Sequence, residues 1–310
     1  MHNTNTALTD LQFSSILSSL INLPLDDPDK TLQQATFLRN RATLHHKTAC
    51  DPFWLHPRFQ AWSESPSSNL IMVQGTFAGR SAMRASLVDA IAAIRQANAT
   101  ALWALKTSNS AAAALNSEAS ISSVELLKYL TAQALRFTGP PSTTTTTERT
   151  LALSCARFQT ARDEREWIGL LAGSLAGLGS RQVFIVVDVE LLGREAVACV
   201  TQDSGNRGNS SNSNRFMLPE SLRELFAQLE ARASGVVVKV LLASYGSPLF
   251  GAAGEACRKD VVLAGRPRPQ RLGGAGRAAR GALGVGRGQL RRGFGLRRGG
   301  EGLRRGSLVV

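Results

Sequence analysis

Four residues, Gly75, Gly79, Arg80 and Ser81, have the types and the order needed to hold a phosphate. A phosphate loop works by pointing successive backbone N–H groups inward, while the following helix offers the positive end of its dipole. A lysine then reaches the β and γ phosphates, and a serine or threonine hydroxyl holds Mg²⁺. Here the stretch from Gly75 to Ser81 reads GTFAGRS. Arg80 stands where lysine belongs, and Ser81 takes the Mg²⁺ position. Aligned on Gly79, Arg80 and Ser81, the motif puts Gln74 in the place of its first glycine. Aligned on Gly75, the loop is one residue short. Arginine keeps the charge, but its planar fork does not replace a compact ammonium freely. The same spacing suits a plain βα turn whose glycines permit a tight bend, so both readings stand.

A second group of residues adds acids. "VFIVVD" is an apolar run that stops at Asp188, which a parallel sheet would place at a strand's carboxyl end. There a carboxylate can hold Mg²⁺ beside the loop, and Glu190 is the candidate to orient an attacking water. An acid ending a strand also serves as an ordinary turn residue. His46, Cys50 and His56 lack the spacing of zinc ligands and show no fourth partner, so packed or exposed roles are expected. Trp54, Phe59 and Trp62 read as core.

These residues need a scaffold. "LIMVQ", ending before Gly75, is a short continuous apolar run, as a strand buried on both faces requires. From Ser81 the period changes: Met83, Leu87, Ile91 and Ile94 fall at helical spacing. "ATALWALK" is a second strand. Ser122 with Glu125 is a capping-box pattern for the helix that follows. "LALSCARF" reads as a further short strand. "ARDEREWIGLLAGSLAGLG" reads as a helix ending at Gly177 or Gly179. "QVFIVVDVELL" is the most strand-like run. "LPESLRELFAQLEARASG" is a helix opened by Pro219, and "VVVKVLLASYGSPLF" is the last strand. Strands alternating with helices of ten or more residues predict an α/β fold with a doubly wound, mostly parallel sheet. The strands near 70–74, 101–105, 183–187 and 237–242 are expected side by side in it.

Order and spacing together carry a resemblance. "FWLHPRFQAWSESPSSNLIMVQG", "ISSVELLKYLTAQAL", "EREWIGLLAGSLAGLGSRQVFIVVDVELL" and "VVKVLLASYGSPL" resemble, in turn, four segments of the NACHT-type P-loop NTPase domains of the STAND class. These are the aromatic lead-in to the first strand, the helix after the second, the Walker B strand with its helix, and the sensor strand. The likeness is to the degenerate form of the domain found in filamentous fungi. It runs from about Thr43 to Leu249. It implies a P-loop NTPase-type sheet and ATP or GTP with Mg²⁺ between the loop and a lid. Gly75, Gly79, Arg80 and Ser81 then form the phosphate loop, Asp188 takes the Walker B role with Ser81 on the metal, and Ser244 is sensor-like. With lysine missing and the loop short, the expected function is a non-hydrolysing interaction or nucleotide-sensing module with a protein partner or self-association. An active ATPase or GTPase switch is the first alternative.

Charge gives the second alternative. The net charge is +13, yet residues 265 to 310 hold twelve arginines and one acid, Glu301, so eleven of those charges lie there. Fourteen of the 28 glycines lie there too. Such a segment cannot bury enough to offset ordering its glycines, and a disordered basic tail is expected. It reads either as a nucleic-acid arm or as shifted-frame translation of GC-rich sequence. The expected organisation is a helical or irregular segment over 1–40, a P-loop-type domain over 41–263 with a linker at 139–150 and a flexible loop at 203–214, and the tail over 264–310. The four cysteines form no CxxC pair. The first residues lack the pattern of a secretory signal, and no run of about 18 apolar residues is present. A cytoplasmic, intracellular protein with no membrane partner is the expectation.

Overall fold

The computed structural model describes residues 14–18, 20, 25–45, 53–106, 121–138, 155–178, 182–192, 218–245 and 261–263. Five strands, β1 (Asn69–Gly75), β2 (Thr100–Ala104), β3 (Gln182–Asp188), β4 (Val237–Tyr245) and β5 (Val261–Leu263), form one sheet. Its order is β2-β3-β4-β1-β5, and every pairing is parallel. All four expected strands lie in it. β4 is not the last strand, because β5 follows and pairs with β1, Val261 opposite Met72. Three residues whose partner is nearly two hundred positions away leave no local signal.

Side chains alternate across the strands, so both faces are apolar and both are covered. Leu70, Met72, Leu102, Val183, Ile185, Val187, Val238 and Val240 point to one face. There they meet α4 (Ser123–Thr138), α6 (Glu164–Ala176) and α7 (Leu218–Ala231). Ile71, Val73, Ala101, Trp103, Phe184, Val186 and Leu241 point to the other. That face meets α2 (Pro57–Glu64) and α3 (Arg80–Gln96), which buries Met83, Leu87, Ile91 and Ile94. The fold is therefore α/β, a five-stranded parallel sheet flanked by helices, and it is compatible with a P-loop-type architecture.

Local chemistry fixes the helix ends. Ser122 and Glu125 form the expected reciprocal cap: the Ser122 N–H donates to Glu125 Oε2 at 2.7 Å, and the Glu125 N–H donates to Ser122 Oγ at 3.2 Å. Asp163 and Glu166 do the same for α6, which stops at Gly177. One element differs from expectation in type, and another, in the segment expected to be helical or irregular, runs past its expected boundary. Residues 28–45 are a helix, α1 (Pro28–His45), packed on α3. Asp27 Oδ1 accepts the Asp29 N–H at 3.0 Å, and Pro28 sits at the first helical position, where its missing N–H costs nothing. The second half of "LALSCARF" is helical, within α5 (Cys155–Thr160), and Phe158 packs edge-on to Trp167 at 6.1 Å. Of "LTDLQFSSILSSLINL", residues 14–18 are helical, and Ile16 and Leu20 are buried. The linker 139–150, the loop 203–214 and the tail lie outside the described residues.

At the outer edge of β2, a buried side chain takes the place of a strand. The Trp103 N–H donates to Gln133 Oε1 at 3.0 Å, and Gln133 Nε2 donates to the Trp103 carbonyl at 2.8 Å. An edge strand needs such a cover, because its free N–H and C=O groups otherwise template further pairing.

The winding also locates the crevice. The chain leaves β1 toward β2 on one side and leaves β4 toward β5 on the other. β1 and β4 are neighbours, so the topological switch point lies between their carboxyl ends, where open α/β sheets bind ligands.

Candidate functional site

Gly75 ends β1 at this switch point, with Tyr245 as its register partner on β4, and Ser244 lies opposite Gln74. A Cβ at Gly75 would meet the terminal methyl of Met83 on α3 at 3.0 Å, a tight contact that a small shift of that flexible side chain relieves. The chain then makes a single 3₁₀ turn, Phe77–Gly79, and runs directly into α3. In that turn the Gly79 N–H donates to the Thr76 carbonyl at 2.9 Å and to Thr76 Oγ1 at 3.2 Å. The Arg80 N–H donates to the Phe77 carbonyl. Gly79 has φ −85° and Arg80 φ −53°. Among the described residues, Gly235 is the only glycine with positive φ. An anion nest alternates right- and left-handed residues so that its N–H groups converge. This turn has no left-handed residue, and two of its N–H groups are already bonded within it.

Arg80 and Ser81 are exposed at the start of α3. The Arg80 guanidinium lies over the Phe77 ring, 4.4 Å from its centre, and Phe77 is itself 63% exposed. The cation at the lysine position thus stacks on its own loop.

The acids are deeper. Asp188 ends β3 and is 1% exposed. Its Oδ1 accepts the Glu190 N–H at 3.1 Å. Its Oδ2 accepts the Lys106 N–H at 3.4 Å and the Tyr245 hydroxyl. The Arg84 guanidinium stands 3.8 Å from that same oxygen and donates from Nε to Tyr245 Oη at 2.5 Å. Burial raises the Asp188 carboxyl to about 6, while the Tyr245 hydrogen bond and the Arg84 charge pull it down. Burial, with the Asp188 charge beside it, also drives the Tyr245 phenol above its ordinary value. Glu190 turns to β4: its Oε1 accepts from Ser244 Oγ at 3.0 Å and from the Tyr245 N–H at 2.9 Å. Lys106 Nζ closes the rim by donating to the Glu190 carbonyl at 2.7 Å.

The structure therefore brings Gly75, Asp188, Glu190 and Ser244 together at the carboxyl ends of neighbouring strands, and it sets Arg80 and Ser81 on the surface above them. Sequence reading missed Arg84, Tyr245 and Lys106. Arg84 lies one helical turn beyond Arg80, and Tyr245 directly follows Ser244. Those offsets from flagged residues were the available signal.

The residues do not fit a Mg²⁺–nucleotide group as they stand. Both Asp188 oxygens are bonded to protein donors, and a guanidinium supplies the neighbouring positive charge. Among the described residues, no group of three His, Cys, Asp or Glu side chains is placed to hold a metal ion. His56 caps α2 instead, its Nδ1 accepting the Arg58 N–H at 3.2 Å, while His46 and Cys50 lie outside the described residues. Nor is any described helix long and apolar enough to cross a membrane. The tail, on which nucleic-acid binding would depend, is also outside them. No protein-family model, curated protein or solved structure matches the chain.

Proposed function

We propose that this chain is a P-loop-type domain, related to the NACHT/STAND class its sequence resembles, that works as a non-hydrolysing interaction or nucleotide-sensing module. The observation that carries this reading is the turn at Thr76–Arg80, which spends two of its N–H donors on its own backbone. A triphosphate would have to open that turn before it could be cradled. Hydrogen bonds to charged groups are worth ~1.5–3 kcal/mol each, so two spent donors weaken phosphate binding by about 100-fold or more. Turnover demands further that charge be neutralised in line with an oriented water. Glu190, the residue proposed to orient that water, has one carboxylate oxygen bonded to the end of β4.

Calorimetric titration with ATP and GTP in the presence of Mg²⁺, paired with a phosphate-release assay on the full chain, tests this. Weak or no binding and background turnover are expected. Micromolar binding with turnover that disappears in Asp188→Ala would overturn the reading.

A further inference from the structure

We infer that Arg84 and Tyr245 form an autoinhibitory latch on Asp188, a built-in counter-charge standing where a divalent cation would otherwise approach that carboxylate. The inference rests on reading Asp188 as the cation-facing acid of a P-loop-type domain, and it adds what keeps the cation away. Three observations carry it. The donors form one directed chain: Arg84 Nε donates to Tyr245 Oη at 2.5 Å, and the Tyr245 hydroxyl donates to Asp188 Oδ2. The guanidinium lies 5.0 Å from the centre of the Tyr245 ring, so it is held by stacking as well as by hydrogen bonding. Finally, Tyr245 pairs in register with Gly75 at the switch point, so the latch closes over the crevice itself.

Every element around the carboxylate contributes to this arrangement. α3 supplies Arg84 and β4 supplies Tyr245. The residue after β2, Lys106, gives a backbone N–H, and the turn after β3 gives the Glu190 N–H. A Mg²⁺ or Mn²⁺ ion is bound through open carboxylate oxygens, and a guanidinium 3.8 Å from Asp188 Oδ2 repels a cation approaching that oxygen. The Arg84 side chain is 32% exposed while Asp188 is closed, so the latch has an outer half that solvent reaches and an inner half that it does not.

The test is a nucleotide-free Mn²⁺ titration of the full chain, followed by the loss of the free-ion electron paramagnetic resonance signal. In Arg84→Ala/Tyr245→Phe the ring volume stays and both latch donors go. We expect this variant to bind Mn²⁺ at least tenfold more tightly than the unaltered chain, with the gain lost when Asp188→Asn is added. A folded double variant with no gain, or a gain that survives Asp188→Asn, overturns the latch. So does an unaltered chain that already binds Mn²⁺ through Asp188 as tightly as the variant. If the double variant does not fold, Arg84→Ala alone carries the test with an expected gain of about threefold, and no gain there overturns it. Because no nucleotide is present, the latch can fail while background turnover still supports the non-hydrolysing reading, and the reverse also holds.

Discussion

Two charges are buried on the same face of the sheet, one near each end of β4, and they are neutralised in opposite ways. At the carboxyl end, Asp188 meets a cation, a phenol and two backbone N–H groups drawn from α3, β4 and the turns after β2 and β3. At the amino end, Lys239 is 0% exposed, and its Nζ donates to the carbonyls of Trp62, Ser65 and Ser67. An ammonium has three donors, and here one carbonyl from the last turn of α2 and two from the turn between α2 and β1 take them. Burial pushes Lys239 down to about 8, which leaves it charged at neutral pH. The cation is fastened by backbone that has nowhere else to go. The anion is fastened by two backbone N–H groups and, on Oδ2, by two side chains that have other rotamers. A backbone cage is a structural fixture, whereas a side-chain latch can open, so the two ends differ in what they allow to change.

The largest expected effect lies at the fixture. Lys239→Ala takes the donor from the Ser65 carbonyl, leaves the Trp62 and Ser67 carbonyls only the longer bonds from Asn69 Nδ2 and Ser65 Oγ, both 3.4 Å, and opens a cavity beside Phe184, which is fully buried one strand away. Each unsatisfied buried polar group costs ~1–3 kcal/mol, and part of that is recovered as the turn relaxes. A loss of about 3–5 kcal/mol of unfolding free energy is expected in urea titration. A loss under about 1 kcal/mol would show that the turn finds water readily and that the cage is ornamental.

The next effect separates the two ends by pH. Asp188 is raised to about 6 in the folded chain, so the folded state binds its proton more tightly than the unfolded state does. Its contribution is fully present below about pH 4 and is lost as pH rises through about 6. Lys239 is lowered to about 8, and its contribution has the opposite form: it is present above about pH 10.4 and is lost as pH falls through about 8. Comparing the unaltered chain with Asp188→Asn cancels Lys239. It also cancels Glu164, which desolvation pushes up to about 8 on the other face of the sheet. The difference in unfolding free energy should fall by roughly 2–3 kcal/mol between pH 4 and pH 7 and stay flat from pH 7 to pH 9. A flat difference below pH 7 would mean that Arg84 and Tyr245 outweigh burial, and that Asp188 stays ionised throughout.

This contrast was only half visible in the sequence. The strands and α3 were legible because their periods are strict: Met83, Leu87, Ile91 and Ile94 are all buried, at the spacing that predicted them. α1 was legible only as part of a segment either helical or irregular, because its apolar residues do not keep to one side. Phe37 is 66% exposed, while Thr31 is buried. At the site, the glycines and acids were legible by type and by their positions at the ends of apolar runs. Their partners were not. Arg84 and Tyr245 stand 161 positions apart, and Tyr245 and Asp188 stand 57 apart, so only the register of β1, β3 and β4 brings them together. Nor does the motif reveal that the loop is a closed 3₁₀ turn, since the same residues suit a cradle and a plain βα turn.

The smallest effect is expected at the residue that first suggested a phosphate loop. Arg80 sits in the first turn of α3, where a cation opposes the helix dipole at a cost of ~0.3–1 kcal/mol. Its stacking on Phe77 at 4.4 Å is solvent-exposed and returns ~0.5–1 kcal/mol. Alanine is also the best helix former for the vacated position. These contributions nearly cancel, so Arg80→Ala should change the unfolding free energy by no more than about 0.5 kcal/mol, as other exposed substitutions do. Arg84→Ala, one turn further along the same helix, strips a buried carboxylate of its counter-charge and should cost ~1–3 kcal/mol. Urea titration of the two variants side by side measures the gap. Equal losses would place Arg80 inside the network around Asp188. A clear gap would identify Arg84 as the arginine on which the buried carboxylate depends, leaving Arg80 as a surface cation at the helix end.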